Sequence, residues 1–319
     1  MNEILAPLDG SVWLRSELID AGHSDRDLAR LVRAGVLRRV RRGAYVDGTT
    51  YDAADADSRH RLLARAVAKQ AKTRVIISHV SAVPFHEGPT WGMSLDLGHV
   101  TRPDGRAGRS EAGVRQHQGV VLEGDVVVRQ GLEVMSATRT ALDVTTCASA
   151  EASLVLVNDF LHRRLTTLHD LQSRYASMKN DPHTLKTDLV LRLADSRSES
   201  VGESRTFFMC YRGGVPAPIP QYELRDDHGD LIARLDFAWP KLRVWLEFDG
   251  REKYLKHVRD GESVVDAVIR EKQRESMIAE LTGWTCIRIT WADLQRPDAT
   301  VARILAVLGV APRVPSATR

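Results

Sequence analysis

The sequence predicts a multidomain α/β protein made of three consecutive parts, residues 1–51, 52–195 and 196–319. Three observations favour this fold class. The first part holds two short helical patterns followed by a hairpin pattern. The middle part mixes helical patterns with short β-like runs, as in an α+β domain, and the last part places strands between helices. A chain of 319 residues is long enough for two or three domains.

Two short helices are predicted near the amino-terminal end. The first carries Leu18 on its apolar side and ends at Gly22. Ser24 can cap the second helix, and Asp27 follows three residues later, in the arrangement of a short capping box. Gly35 ends this second helix.

A β-hairpin is predicted directly after these helices. The stretch VLRRVRRGAYV alternates in the manner of two strands, and Gly43 lies near the turn. The order helix, tight turn, helix and hairpin is that of a winged helix-turn-helix.

Seven arginines and a single acid, Asp27, lie between positions 26 and 42, which cover most of the second helix and the hairpin. The formal net charge of the chain is only +3, so any basic surface must be local. A basic helix beside a basic wing suits a helix in the major groove of DNA with phosphate contacts around it. The alternative is a solvated charged face on a small helical domain. The predicted DNA-binding residues are Arg26, Arg30, Arg33, Arg38, Arg39, Arg41 and Arg42.

The middle part shows no chemistry of its own. Its histidines His79, His86, His99 and His117 lack the spacing of a metal site, and we expect most of them at the surface or the edge of the core. Asp143 lies four residues after Arg139 in the stretch RTALD, and a buried structural pair is predicted there. This part contains no glycine-rich phosphate-binding loop of the P-loop or GxGxxG type.

The last part predicts the element order α-β-β-β-α-β-α. Strands are predicted at QYEL, LIARLDFAW, LRVWLEFDG and TCIRITW, and a long helix is predicted from Val264 to Leu281 with Ser263 as its cap. Two of these strands carry acids among apolar residues.

The acids of the last part predict a divalent-ion site. Because strand side chains alternate, Glu247 and Asp249 lie on one side of their strand, and Asp236 on the partner strand can reach the same place. Glu203 on the preceding helix completes the predicted ligand set. Clustered carboxylates repel each other unless a cation is present, and oxygen ligands suit Mg²⁺ or Mn²⁺. Such an ion would activate water for phosphodiester cleavage.

The last 120 residues or so resemble the PD-(D/E)XK nuclease superfamily, and more closely the domain related to very-short-patch-repair endonucleases. The resemblance implies a restriction-endonuclease-like mixed α/β domain, with Asp236, Glu247 and Asp249 as catalytic residues. Asp249 stands where that superfamily has a lysine, so either Lys253 reaches in from the following loop or the ion acts without it. The matching residues are Glu203, Ser204, Arg205, Gln221, Asp236, Phe237, Trp239, Pro240, Glu247, Asp249, Gly250, Arg270, Arg274, Gly283, Trp284, Arg288, Thr290 and Trp291.

The first 165 residues or so resemble the AbiEi-like antitoxins of type IV toxin–antitoxin modules. The wing stretch GVLRRVRRGAYV and the stretches SHVSAVPFHEG and SATRTALDV carry this resemblance. It implies binding of double-stranded operator DNA and autorepression of a two-gene operon. It also implies neutralisation, without stable contact, of a nucleotidyltransferase toxin encoded nearby.

Three functions therefore remain open: a DNA-binding regulator of the antitoxin kind, a metal-dependent DNA endonuclease, and a non-catalytic interaction module in phage defence. The three cysteines, Cys147, Cys210 and Cys286, are far apart and predict neither a disulfide framework nor a zinc site. Without an amino-terminal signal pattern or a long apolar run, a cytoplasmic location is expected.

Overall fold

The computed structural model describes residues 12–105, 110–111, 113–178, 184–226, 228–250, 273 and 276–311. Tertiary contacts divide the chain into two compact units, Met1–Ala194 and Asp195–Arg319. Each unit combines helices with a β-sheet, so the chain is a mixed α/β protein of more than one unit. Within the described ranges, none of the helices has the length and apolar character needed to cross a membrane.

The first unit begins with two helices and a small antiparallel sheet. Over the described residues this sheet has three strands in the order β1-β3-β2. The elements are β1 (Trp13–Leu14), α1 (Arg15–Asp20), α2 (Asp25–Arg33), β2 (Leu37–Arg41), β3 (Ala44–Asp47) and α3 (Gly48–Ala53).

The local signals read from the sequence explain these boundaries. The Ser24 hydroxyl accepts a hydrogen bond from the Asp27 backbone N–H at 3.2 Å. The Asp27 carboxylate accepts one from the Ser24 N–H at 3.0 Å, which closes the predicted capping box. Gly43 has a φ of 76°, a left-handed conformation that allows the turn between β2 and β3. The predicted cap and hairpin turn are confirmed.

The small sheet shares its core with the helix that follows it. Val12, Ala44 and Val46 pack against Leu62 and Ala66. The last two residues belong to α4 (Ala56–Gln70). The core therefore continues across residue 51, and the predicted division at that position stays a prediction.

A larger sheet forms the rest of the first unit. In the part of the chain that the structure describes, it has six strands in the order β6-β7-β5-β4-β9-β8. Strands β5 and β7 are parallel, as are β4 and β9, and the other neighbours are antiparallel. The elements are β4 (Ile76–Ile77), α5 (His79–Ala82), β5 (Gly98–Arg102), β6 (Ser110–Glu111), β7 (Val114–Gln118), β8 (Val126–Arg129), β9 (Leu132–Met135), α6 (Ala137–Cys147), α7 (Ala150–His162), α8 (Leu168–Ala176) and α9 (Leu185–Leu193).

The second unit is built on a mixed sheet, which has four strands in the described residues and the order β10-β11-β12-β13. The first three strands are antiparallel, and β12 and β13 are parallel. The elements are α10 (Val201–Arg212), β10 (Ile219–Arg225), β11 (Leu231–Trp239), β12 (Val244–Asp249), a helical segment at 276–282, β13 (Thr285–Thr290), and helices Trp291–Leu294 and Pro297–Leu308.

The predicted element order of the second unit is confirmed where the structure describes it. The predicted helix from Val264 is described only from residue 276, and Ser263 lies outside the described residues. Leu246 and Phe248 pack with Met209 of α10, whereas Trp245 packs with Ile278 on the other side of the sheet. Alternation therefore places Glu247 and Asp249 on the side of Trp245, as predicted.

Candidate functional site

The exposed side of α2 carries the three predicted helix arginines. Leu28 turns the opposite side of the helix into the core at 2% exposure. Arg26, Arg30 and Arg33 are all exposed. Arg30 forms an ion pair with Asp27 at 2.8 Å, so part of its charge is compensated. Arg26 and Arg33 have no ion pair within the described residues.

The four hairpin arginines fall into two pairs. Arg38 donates two hydrogen bonds to the Asp52 carboxylate, at 2.9 and 2.7 Å. Arg41 is half-buried, and burial lowers the pKa of its guanidinium. In the pairing of β2 with β3, a register shift between Arg39 and Arg41 separates the first pair, Arg38 and Arg39, from the second pair, Arg41 and Arg42. Arg39 and Arg42 are exposed, and neither forms an ion pair with a described residue. The arginines that are exposed and form no ion pair with a described residue are therefore Arg26, Arg33, Arg39 and Arg42, and Arg30 is exposed but paired.

In the second unit, Glu203 is held inside the protein by hydrogen bonds. It is 2% exposed and lies in the first turn of α10. Its carboxylate accepts hydrogen bonds from the Ser200 hydroxyl at 2.8 Å and from the Glu199 backbone N–H at 3.0 Å. Gln221 of β10 donates a third from its side-chain amide at 3.0 Å. Ser200 caps the helix by accepting a hydrogen bond from the Glu203 N–H, and the Glu203 carboxylate holds Ser200 in place and ties the helix to the sheet.

Asp236 and Glu247 are buried on neighbouring strands, at 8% and 7% exposure. The paired residues of β11 and β12 run from Trp239 opposite Val244 to Phe237 opposite Leu246. Beyond that point the Asp236 carboxylate accepts a hydrogen bond from the Phe248 N–H at 2.9 Å. A side chain thus replaces the backbone partner where the two strands separate.

Gln221 links Glu203 to this pair of strands. Its backbone has a φ of 48°, unusual for a residue other than glycine. Its neighbours pair with Phe237 and Leu235, so the register places Gln221 across from Asp236. The structure therefore brings the motif residues Glu203, Gln221 and Asp236 into one neighbourhood.

Asp249 lies at the end of β12 and is less buried, with 24% of its side chain exposed. Its carboxylate lies 3.4 Å from the Arg288 guanidinium on the parallel strand β13. Among the described residues, no group of three or more His, Cys, Asp or Glu could hold a metal ion, and this includes the four predicted ligands. The Mg²⁺ or Mn²⁺ site therefore stays a prediction. Lys253, Arg270 and Arg274 lie outside the described residues.

The sequence prediction missed a cluster of three stacked imidazoles in the first unit, which we call the histidine cluster: His79, His99 and His117. The rings of His79 and His117 stack with centroids 3.4 Å apart, and those of His99 and His117 with centroids 5.0 Å apart. The Nε2 of His117 lies 3.0 Å from the Nδ1 of His99. His79 and His99 are 5% and 6% exposed.

A buried ion pair lies against this cluster. Arg139 donates to the Asp143 carboxylate at 2.7 Å, and both side chains are nearly inaccessible, which confirms the predicted pair. The second oxygen of Asp143 has no hydrogen-bond partner and lies 3.6 Å from the Nδ1 of His79. Burial raises the pKa of Asp143. His79 has a φ of 52°, so its backbone is strained in the left-handed region.

The serines of the SHVSA stretch fix helix α5 to β5. The Ser81 hydroxyl accepts a hydrogen bond from the His99 N–H at 2.7 Å and lies 2.8 Å from the Nε2 of His60. The Nδ1 of His60 lies 2.9 Å from the Leu95 carbonyl, which can only accept, so Nδ1 carries the proton. Because burial lowers the pKa of His60 and keeps it neutral, Ser81 donates to its Nε2. These hydrogen bonds have a structural role, since Ser81 is fully buried.

Burial keeps the histidine cluster neutral. Burial, together with nearby Arg115 and His60, lowers the pKa of His99 to about 4. Burial and the neighbouring imidazoles lower that of His117 to about 2. The pKa of His79 is well below its ordinary value for the same reasons. The prediction that most of these histidines lie at the surface or core edge is wrong for His79, His86 and His99, which are buried.

Comparison with known proteins gives a partial match. No model of a known protein family matches the chain. Over 166 residues it is 28% identical to two proteins of Mycobacterium tuberculosis: Uncharacterized protein MT2308 of strain CDC 1551 / Oshkosh and Uncharacterized protein Rv2248 of strain ATCC 25618 / H37Rv. Each match covers 52% of this chain and 58% of the relative, so the chain spans just over half the length of these proteins. Their names state no activity.

Proposed function

We propose that the protein is a DNA-binding transcriptional regulator of the type IV antitoxin kind, which binds its operator through a winged helix. The observation that carries the proposal is the position of the arginines: Arg26 and Arg33 on α2, and Arg39 and Arg42 on the hairpin, are exposed without ion pairs in the described part of the chain. Autorepression, and neutralisation of a nucleotidyltransferase toxin encoded nearby, belong to the same proposal.

The shape of the region supports this function. Helix α2 follows α1 through a tight turn and is followed by a hairpin, and β1 joins the hairpin in one small sheet. In winged helices of this order, the second helix of the pair enters the major groove and the wing contacts the backbone. The apolar residue Leu28 fixes which side of α2 faces outward. Arg26 and Arg33 are therefore available for DNA while the helix remains packed.

The distribution of charge supports phosphate contacts as well. Each arginine that neutralises a phosphate releases condensed counterions. The logarithm of the binding constant therefore falls with the logarithm of the salt concentration, with a slope of about 0.9 for each such contact. Four exposed arginines would give a slope of about 3 to 4 from this surface. Arg38 is already bound to Asp52, so it contributes less than its neighbour Arg39.

The experiment compares two adjacent arginines of the same strand. Fluorescence anisotropy would measure binding of a labelled duplex from the promoter of the protein's own gene, at several salt concentrations. We expect Arg39→Gln to weaken binding about tenfold and to lower the salt slope by about 1. The matched control, Arg38→Gln, should change both by much less. Binding that neither substitution weakens would contradict the proposal, and equal weakening by both would contradict the argument that Asp52 compensates Arg38.

A second candidate is DNA cleavage by the unit Asp195–Arg319. The observation that favours it is the burial of Asp236 and Glu247 on the neighbouring strands β11 and β12, because burying ionised carboxylates is costly. Purified protein would be incubated with supercoiled plasmid and Mg²⁺ or Mn²⁺, beside Asp236→Asn and Glu247→Gln variants. Cleavage lost in both variants, with their folding intact, would support an endonuclease. If the unaltered protein does not cleave the plasmid, the endonuclease is rejected and the regulator is the candidate function that is kept.

A further inference from the structure

Arg15 connects the two elements that the proposed function assigns to DNA, the helix α2 and the hairpin. It is the first residue of α1 and directly follows β1 in the chain. Its backbone bonds to the turn of the hairpin, and its side chain bonds to the first residue of α2. The position of α2 relative to the hairpin therefore depends in part on this one residue.

The backbone contact of Arg15 continues the pairing of β1 with β3. Leu14 lies opposite Ala44 in this antiparallel pair. One residue further, the Arg15 N–H donates to the carbonyl of Gly43 at 2.9 Å. Because Gly43 and Arg42 form the turn between β2 and β3, this contact fixes the start of α1 against the turn that carries Arg42.

The side chain of Arg15 reaches the amino-terminal end of α2. Its Nε donates to one carboxylate oxygen of Asp25 at 2.8 Å, and its Nη2 donates to the other at 2.6 Å. A bidentate pair of this kind fixes a direction as well as a distance, because both groups are planar. Asp25 begins α2, and the next residue is Arg26. The pair therefore orients the turn of α2 from which contacts with DNA are expected.

The apolar core between the two helices and the hairpin does not supply this direction by itself. Leu18, Leu28 and Leu37 pack together there, one each from α1, α2 and β2. Burial of apolar surface is favourable in proportion to its area, and it is non-directional. The core thus holds α2 against the hairpin, whereas the pair of Arg15 and Asp25 restricts how the helix is oriented.

The exposure of this pair separates its effect on folding from its effect on binding. The side chains of Arg15 and Asp25 are 52% and 66% exposed, and ion pairs at such positions contribute little to folding stability. Binding is more sensitive, because α2 and the hairpin must contact one duplex at the same time. A surface that already has its binding geometry loses less conformational entropy on association.

We infer that Arg15 is a positioning residue for DNA binding, which holds α2 and the wing in one geometry through Asp25 and the Gly43 carbonyl. This inference rests on the proposed function. The other role open to an exposed arginine is a direct phosphate contact, and the two roles differ in the effect of Asp25. If Asp25 holds Arg15 in place, its carboxylate favours DNA binding. If Arg15 contacts phosphate, Asp25 competes with the DNA for it.

The substitution Asp25→Asn separates the two roles because they predict opposite changes. It removes a negative charge beside the proposed interface, so a direct contact by Arg15 would become stronger. Anisotropy with the promoter duplex at several salt concentrations would measure binding. We expect the affinity to fall about fivefold and the salt slope to fall by about 1, because the helix and the wing no longer contact phosphates together. The matched control is Asp20→Asn, which removes an exposed carboxylate of α1 that forms no ion pair with a described residue, and it should not weaken binding.

A double variant tests the link between the helix and the wing. In Arg42→Gln the wing has lost a contact of its own, so adding Asp25→Asn should weaken binding by less than about twofold. Equal effects of Asp25→Asn with and without Arg42→Gln would overturn the link to the wing.

The remaining outcomes distinguish the inference from the proposed function. Binding by Asp25→Asn that equals or exceeds that of the unaltered protein overturns the inference. A fall in affinity with an unchanged salt slope, which partial unfolding alone would give, overturns it as well. If the unaltered protein does not bind the promoter duplex, the proposed function fails and the inference fails with it.

Discussion

Acidification should destabilise the first unit through its histidine cluster. An unfolded imidazole has a pKa near 6.5, whereas the pKa of His99 is about 4 and that of His117 about 2. Because both values are lowered in the folded state, the unfolded chain binds protons first as the pH falls. The stability contributed by these groups is complete above about pH 6.5 and is lost progressively below it.

The magnitude follows from the pKa values. A pH of about 5 lies about 1.5 units below the pKa of an unfolded histidine. At about 1.36 kcal/mol per unit, protonation of that histidine in the unfolded chain favours unfolding by about 2 kcal/mol. His99 and His117 both have folded pKa values below this pH, so together they give about 4 kcal/mol. His79 acts in the same direction. Asp143 acts in the opposite direction because its pKa is raised, and every variant compared here keeps it.

Hydrogen-exchange mass spectrometry would follow the peptides of β5 and β7 between about pH 7.5 and about pH 5. We expect the opening free energy of the unaltered protein to fall across this range, and that of His117→Gln to fall by about 2 kcal/mol less. His169→Gln is the matched control, because the His169 side chain is 87% exposed on α8. The reasoning is refuted if the pH dependence of His117→Gln equals that of His169→Gln.

Three further predictions concern the fold. Ser24→Ala should destabilise α2 by about 1 kcal/mol through loss of its cap, and should lower DNA affinity, as urea unfolding and anisotropy would show. Asp236→Ala leaves the buried Phe248 N–H without its acceptor and should cost about 1–3 kcal/mol in urea unfolding of the second unit. Gly202→Ala should cost about 1–3 kcal/mol or more, because a Cβ there would lie 2.0 Å from the Phe248 ring; thermal unfolding would measure it.

The elements could be predicted from the sequence because their signals are local. The capping box of Ser24 and Asp27 and the left-handed glycine at Gly43 each involve a few consecutive residues. The strands of the second unit follow short, mainly apolar runs bounded by turns. The pair Arg139 and Asp143 could also be predicted, because four residues on a helix bring two side chains together.

The histidine cluster could not be predicted because its members come from α5, β5 and β7, which meet only when the six-stranded arrangement of the described sheet forms. His99 and His117 lie on parallel neighbouring strands, with Thr101 directly across from His117. A sequence gives no parallel register, since parallel strands are joined by long connections rather than by a turn. The stretches SHVSA and RTALD marked some of the residues, but nothing in either indicated that His79 would face Asp143.

The number of arginines in the hairpin differs from the number whose charge is uncompensated in the structure. Arg38 and Arg39 are adjacent, chemically identical and equally basic in the sequence. In the structure Arg38 is neutralised by Asp52 from the next helix, whereas Arg39 is exposed. Counting arginines therefore locates the basic region but overstates the charge that DNA would meet. Because phosphate binding depends on uncompensated charge, we expect Arg39 to contribute more than Arg38 to the proposed contact with DNA.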